Sequence, residues 1–257
     1  EGTVGYCIHK SPEGVAEDPK ALLYFLHPAE ADELSWREFP ISRVYYKMFH
    51  ENELPAPRVV TISYGPYWTL MDEPGEIQPA LFETFVSSWM PLIERETGPP
   101  NRRYLWGMSQ GAFNSSLLVL KRPKLFDGAV LSCPSFFPFP LYSDAKVIAK
   151  YVKSSNADAY SVDWAVRTLR PRVGGPEAWK KEDPLKLAAR SKGLPLPPIL
   201  IQANKKDEYG FYKGAKQFYK TLKKLRHPVS FRPYRGMHCV VDAEKAVDFL
   251  IDLTANH

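Results

Sequence analysis

"RRYLWGMSQGAFNSSLLVL", Arg102 to Leu120, is the stretch on which the reading of the fold turns. Its opening, Arg102 to Gly107, runs into apolar residues and predicts a buried strand. Gln110 to Leu120 predicts a helix, closed by Lys121-Arg122-Pro123. Between the two, Ser109 stands with Gly107 on one side and Gly111 on the other. Gly-x-Ser-x-Gly is a short pattern that ordinary composition produces often. It carries meaning only if the rest of the chain supplies partners for the serine.

Working outward, strands and helices alternate. Gly5 to Lys10 predicts a strand, and "ALLYFL" (Ala21 to Leu26) a buried one stopped by Pro28. Arg37 to Phe49 predicts a helix. "RVVTISY" (Arg58 to Tyr64) is rich in β-branched residues and predicts a strand. Ile77 to Glu96 carries Leu81, Phe85, Trp89, Leu92 and Ile93 near helical spacing, giving one apolar face. After the central stretch come strands at Gly128–Cys133, Pro198–Ala203 and Val229–Tyr234, and helices at Phe211–Leu225 and Asp242–Leu253. Short apolar strands between amphipathic helices indicate an α/β fold, a mostly parallel sheet covered on both faces. Residues 134–197 break the rhythm. They hold "FFPFP", Trp164 and Trp179 but no clear strand, and they read as a partly helical insertion over one end of the sheet in a single domain spanning 1–257.

Bulk composition narrows the function. The 257 residues are 44% hydrophobic and 25% charged, with a net charge of +5. Lys and Arg are scattered, and their densest clusters, Lys223 to Arg226 and Asn204 to Lys206, accompany no nucleic-acid motif. They read as solvated surface. No apolar run reaches membrane-helix length. Cys7, Cys133 and Cys239 are far apart, without metal spacing, and read by default as unpaired thiols. The chain opens at Glu1 rather than Met. That fits a removed secretion signal or a trimmed chain, and it leaves secretion, periplasm and cytoplasm all open. Oligomeric state is not legible.

In a parallel α/β sheet, chemistry collects in the loops at the carboxyl ends of the strands. A serine hydroxyl is a weak nucleophile until a base takes its proton, and histidine titrates near neutrality. A carboxylate then fixes the ring's tautomer. Of six histidines, three follow Ser109, the order α/β-hydrolases require. His257 is terminal, and His227 precedes its strand, at the wrong end of the sheet. His238, in "YRGMHCV", follows that strand and is selected by position. The strand "PILIQA" runs into "NKKDEYG", which offers Asp207 and Glu208. Asp207 is preferred because it comes earlier and has the shorter arm. It can also serve as a carboxylate at the N-terminus of the helix that follows. Asp163 and Asp183 fall in the insertion instead.

On "LLYFLHPAEADELSW" (Leu22 to Trp36), "GMSQG", "DEYGFYKGAKQF" (Asp207 to Phe218) and "GMH", the chain resembles serine esterases of the α/β-hydrolase superfamily. The type it resembles includes esterase D, feruloyl esterases and the antigen 85 mycolyltransferases. The resemblance spans almost the whole chain, is specific for mechanism and weak for substrate. It implies a triad of Ser109, Asp207 and His238. It also implies a His-Gly pair after the first buried strand, beside the amide that helps bind the oxyanion. Here the pair is His27-Pro28, and proline has no N–H to donate. The oxyanion site is then expected to use the amides of Gln110 and Ala29. His27 itself is expected to be structural.

Tyr64, Tyr67 and Trp68 in "SYGPYW", with Phe136, Phe137 and Phe139 from the other side, are expected to line an apolar or aromatic acyl pocket, with core packing as the alternative. Cys133 and Cys239 are expected near the site without a catalytic role. The function expected is hydrolysis of a small-molecule carboxylic ester through an acyl-serine, without cofactor, metal or nucleic acid. Two alternatives stand beside it. One is acyl transfer by the same machinery; the other is a hydrolase-fold binding protein whose oxyanion site Pro28 has damaged.

Overall fold

The computed structural model describes residues 4–64, 67–155 and 157–255. Gly65 and Pro66 of the aromatic loop, and His257, lie outside the described residues. Seven strands form one sheet: β1 (Gly5–His9), β2 (Glu17–Leu26), β3 (Ala56–Ser63), β4 (Arg102–Met108), β5 (Gly128–Ser132), β6 (Ile199–Asn204) and β7 (Val229–Tyr234). Their spatial order is β1-β3-β2-β4-β5-β6-β7. Only β1 runs antiparallel to its neighbour; every other pairing is parallel. The central strands are apolar along their length because helices cover both of their faces.

The alternation of side chains divides the core in two. Leu22, Tyr24 and Leu26 of β2 face one layer, under the helices α5 (Gln110–Lys121) and α10 (Phe211–Lys224). Ala21, Leu23 and Phe25 face the other, with Trp106 of β4. That second layer is closed by α2 (Ile41–Glu51) and α11 (Ala243–Ala255), which pack on each other. All of these β2 side chains are fully buried. This double burial fixes the register, since a slip of one residue would exchange the two layers.

Prolines account for the departures from the sequence expectations. The helix expected over 37–49 is two pieces, α1 (Ser35–Glu38) and α2, separated at Phe39-Pro40. Phe39 is extended (ψ 139°), as a residue before proline is driven to be. The helix expected over 77–96 begins only at α3 (Phe82–Thr84), because Pro79 interrupts the stretch before it. It then widens into a π turn at Phe85–Trp89 before α4 (Met90–Thr97). Pro91 explains the widening. Its ring would collide with the carbonyl of Ser87 in a regular helix, and a π turn moves that carbonyl away. Strand β2 starts earlier than expected, at Glu17, with a register shift between Asp18 and Leu22 around Pro19.

Between β5 and β6 lie four helices, α6 (Ala145–Lys153), α7 (Ala159–Leu169), α8 (Gly175–Glu182) and α9 (Pro184–Arg190), and no strand among the described residues. Asp144, Asp158 and Asp183 each accept a backbone N–H at the start of α6, α7 and α9. Among the described residues, no helix is long and apolar enough to cross a membrane.

Candidate active site

Ser109 occupies the single residue between β4 and α5, with φ 51° and ψ −110°. A non-glycine residue at positive φ is strained, and the surroundings must enforce it. Here they do so by close contact. A Cβ on Gly111 would lie 1.9 Å from the Leu26 carbonyl oxygen, and one on Gly107 would lie 2.3 Å from the Gly111 oxygen. Neither position has room for a side chain, so strand and helix close on each other and the serine is pushed to the tip. The Ser109 N–H donates to the Ser132 carbonyl (2.9 Å), tying the turn to β5. Gln110 is the first residue of α5, so its N–H has no intrahelical acceptor and points with the helix dipole toward the serine.

Ser109 Oγ is 2.7 Å from His238 Nε2, and His238 Nδ1 is 2.7 Å from Asp207 Oδ2. A carboxylate only accepts, so Nδ1 carries the hydrogen and Nε2 presents its lone pair to the serine hydroxyl. Ser135 Oγ lies 3.2 Å from Ser109 Oγ and can donate to it. Asp207 is buried and also accepts the Tyr209 N–H at Oδ1 (2.9 Å) and, more weakly, the Phe211 N–H that opens α10 (3.4 Å). Asp207 thus contacts both the His238 ring and the N-terminus of α10. Glu208 takes a different partner: its Oε2 accepts the backbone N–H of His238 (2.8 Å). His227 is bonded instead to Ser191 (2.9 Å). This Ser–His–Asp line can move a proton off the serine and return it to a leaving group.

Sequence reasoning missed the groups that hold the His238 loop. Gln202 and Asn204, both in β6, donate to the carbonyls of Asp242 (2.8 Å) and Val240 (2.6 Å). Gln202 also accepts from Ser132, which in turn accepts from Trp106 Nε1 (3.1 Å each). Polar residues inside a buried strand were the available signal. A second correction concerns the cysteines. Cys133 and Cys239 are joined in a disulfide, with Cα atoms 5.1 Å apart; Cys7 is free. The expectation of unpaired thiols failed because pairing depends on which loops meet at the sheet's carboxyl end. The two sulfurs and His238 form a compact group, but the oxidised pair offers no thiolate to a metal.

Ser109 and His238 open into a cavity of about 620 Å³. Ala29 and Gln110 line it, along with Trp68, Phe137, Trp164 and Leu169. Phe39, Ile41 and Val44 supply a wall that the sequence did not indicate, because it arises from the break at Pro40. Phe136, expected at the pocket, faces the core instead and packs on Phe218 at 4.7 Å. The helix α10 comes so close there that a Cβ on Gly214 would lie 1.9 Å from the Phe136 carbonyl oxygen. Phe139 is likewise buried, against Phe137 and Tyr151. Tyr64 is buried with its hydroxyl accepting from Asn114 (3.0 Å) and its ring stacked on His27 (5.3 Å). Burial raises the Tyr64 phenol and lowers His27, so both stay neutral. Tyr64 and Tyr67 line a smaller adjoining cavity, and Trp68 lines both.

A mostly parallel sheet, a serine at a strained strand–helix turn, and an acid and a histidine after later strands define the α/β-hydrolase fold. Comparison with solved structures gives the same fold over the full chain. The chain is similar to a ferulic acid esterase (14% identity, TM-score 0.62, covering 98% of this chain and 96% of that one). It is also similar to the S-formylglutathione hydrolase of Agrobacterium tumefaciens (17%, TM-score 0.58, 99% and 95%). A third is FphF, a fluorophosphonate-binding serine hydrolase of Staphylococcus aureus (17%, TM-score 0.59, 100% and 99%). No protein-family model matches the sequence, and no curated protein does.

Proposed function

We propose that the protein is a carboxylic ester hydrolase working through an acyl-serine. The observation that carries this is the pair of 2.7 Å contacts running Ser109–His238–Asp207, opening on a largely apolar cavity. Ser109 Oγ attacks the ester carbonyl carbon while His238 Nε2 takes its proton. The carbonyl oxygen, now negative, is held by the N–H groups of Gln110 and Ala29. The intermediate collapses, His238 returns the proton to the leaving alcohol, and Ser109 keeps the acyl group. Water then repeats the sequence and releases the acid. Asp207 holds the ring in the reactive tautomer. The apolar wall suits an apolar or aromatic acyl group, and residues 134–197 act as a cap within a single domain. Esterases and serine hydrolases among the similar structures support the reading.

The test is incubation with short p-nitrophenyl esters and with a fluorophosphonate. The expected outcome is turnover and stoichiometric labelling, both lost in Ser109→Ala without a change in melting temperature. Absence of labelling and turnover would leave a binding protein. Product that appears only with an added alcohol acceptor would make the enzyme an acyltransferase.

A further inference from the structure

The fold gathers lysines that the sequence scatters. α10 carries Lys213, Lys216, Lys220, Lys223 and Lys224 and no carboxylate in its 14 residues. α6 adds Lys146, Lys150 and Lys153, again without a carboxylate. All of these side chains are exposed. The two helices meet where Lys213 lies over the Tyr151 ring (5.1 Å) and donates to the Ser154 carbonyl (2.8 Å). Lys223 and Lys224, read from the sequence as solvated surface, are one end of this face. The net charge of the chain is +5, so the eight lysines exceed it and the rest of the molecule is net negative.

The molecule does not neutralise this face from within. Among the described residues none of the eight makes an ion pair, whereas Lys47, Lys121, Lys180, Lys181 and Lys245 all do. The flanking carboxylates Asp144 and Asp158 are turned to the N–H groups that open α6 and α7. Lys216 stands four residues from Lys220, and Lys220 four from Lys224, a spacing at which like charges repel. Lys213 and Lys216 also sit in the first two turns of α10, where the helix dipole disfavours cations. An anion from outside removes both penalties.

We infer that the α6–α10 face docks the protein on an anionic phospholipid surface. Lys213 to Lys224 alone cover about 16 Å of helix, too broad for one small anion. Every cation on the two helices is a lysine, which gathers around diffuse negative charge without the planar fork that reads a base or a single phosphate. The rings between the lysines are engaged: Tyr212 and Tyr219 pack on Phe231 (6.1 and 5.2 Å), and Tyr151 lies under Lys213. Such rings do not stack the bases of a nucleic acid. Val147, one turn before Lys150, is 45% exposed, an apolar group among the cations that suits the headgroup boundary of a bilayer. The inference goes beyond the ester-hydrolase reading and is tested by binding, not turnover.

The test is co-sedimentation of the full chain with vesicles of phosphatidylcholine, alone or with about 30% phosphatidylglycerol. Binding to the mixed vesicles at about 0.05 M salt, its loss at about 0.5 M, and no binding to pure phosphatidylcholine are expected. Lys216→Glu, Lys220→Glu and Lys224→Glu together should lower the partition coefficient by about a hundredfold. Arg37→Glu, Arg43→Glu and Lys47→Glu together change the net charge equally, but on α1 and α2 over the other face of the sheet, and should leave most of the binding. Melting temperatures accompany both variants. If the α10 variant does not fold, Lys150→Glu with Lys153→Glu decides, with a fall of about tenfold or more expected. Equal losses in the two triple variants overturn the proposal, because net charge and not this face would then be responsible. Salt-insensitive binding, equal binding to pure phosphatidylcholine, or no vesicle binding also overturns it, as does a single-stranded oligonucleotide held at a salt concentration that releases the vesicles. Each of these leaves the hydrolase reading standing, and absence of ester turnover leaves the docking face standing.

Discussion

Replacing Cys133 and Cys239 together by alanine removes a crosslink that spans 106 residues of chain and joins the end of β5 to the residue after His238. The chain-entropy expression for a loop of that length gives about 5 kcal/mol, and native disulfides commonly deliver roughly 2–4. In a chain of this size each kcal/mol shifts the melting temperature by about 2–4 °C, so a fall of roughly 5–15 °C is expected. Activity should suffer less. The His238 loop keeps the bonds from Gln202, Asn204 and Glu208, so the imidazole retains its anchors. A loss in kcat below about a hundredfold is expected, the size associated with displacements near 1 Å. The assays are calorimetry with and without reductant, ester turnover below the transition, and thiol titration of the denatured, unreduced protein. Titration should find one thiol, Cys7. Three titratable thiols, or a melting temperature indifferent to both reductant and the double substitution, would refute the reasoning.

Gly111→Ala places a Cβ 1.9 Å from the Leu26 oxygen, where only backbone can yield; loss of turnover with a lowered melting temperature is expected. Asp207→Asn should lower kcat by about four orders of magnitude, by favouring the wrong imidazole tautomer, while the fold persists by circular dichroism. Asp183 gives a pH signature. Burial raises its carboxyl to about 6, against opposing effects of the Leu185 N–H, Lys186 and Arg190. The native state therefore holds this proton more tightly than the unfolded chain, and the contribution of Asp183 to stability falls as pH rises from about 4 to about 6. Asp183→Asn retains an acceptor for Leu185 and should flatten that fall in urea titrations, raising stability at pH 7 by about 1–3 kcal/mol. An unchanged pH profile would count against the buried carboxylate.

The alternation of elements was readable because central strands buried on both faces leave continuous apolar runs, and because a serine between two glycines admits few backbone geometries. Asp207 and His238 were readable for a related reason: each directly follows a strand at the same end of the sheet. What escaped depends on contacts distant in sequence. The Cys133–Cys239 bond needs two loops 106 residues apart to meet. Gln202 and Asn204 stand out as polar residues in a buried strand, but which carbonyls they bond is decided only when the 238–242 loop folds over them. Phe136 and Phe137 are neighbours in one aromatic run, and only the approach of α10 decides that the first turns inward and the second lines the cavity. The breaks at Pro40 and Pro79 fall inside stretches whose apolar residues keep helical spacing, so periodicity alone does not reveal them.

The break at Phe39-Pro40 has a consequence for how the cavity can be altered. It brings Phe39, Ile41 and Val44 to the cavity from a segment that contributes nothing to the Ser109–His238–Asp207 line. On the far side Trp164 and Leu169 arrive from α7, equally remote from the strands that mount the three. Substitutions at Phe39, Val44 or Trp164 would resize the cavity while leaving the strands that carry Ser109, Asp207 and His238 in place. The walls of the cavity and the Ser109–His238–Asp207 line thus come from separate pieces of chain, so a wall residue can be exchanged without touching the residues that form the line.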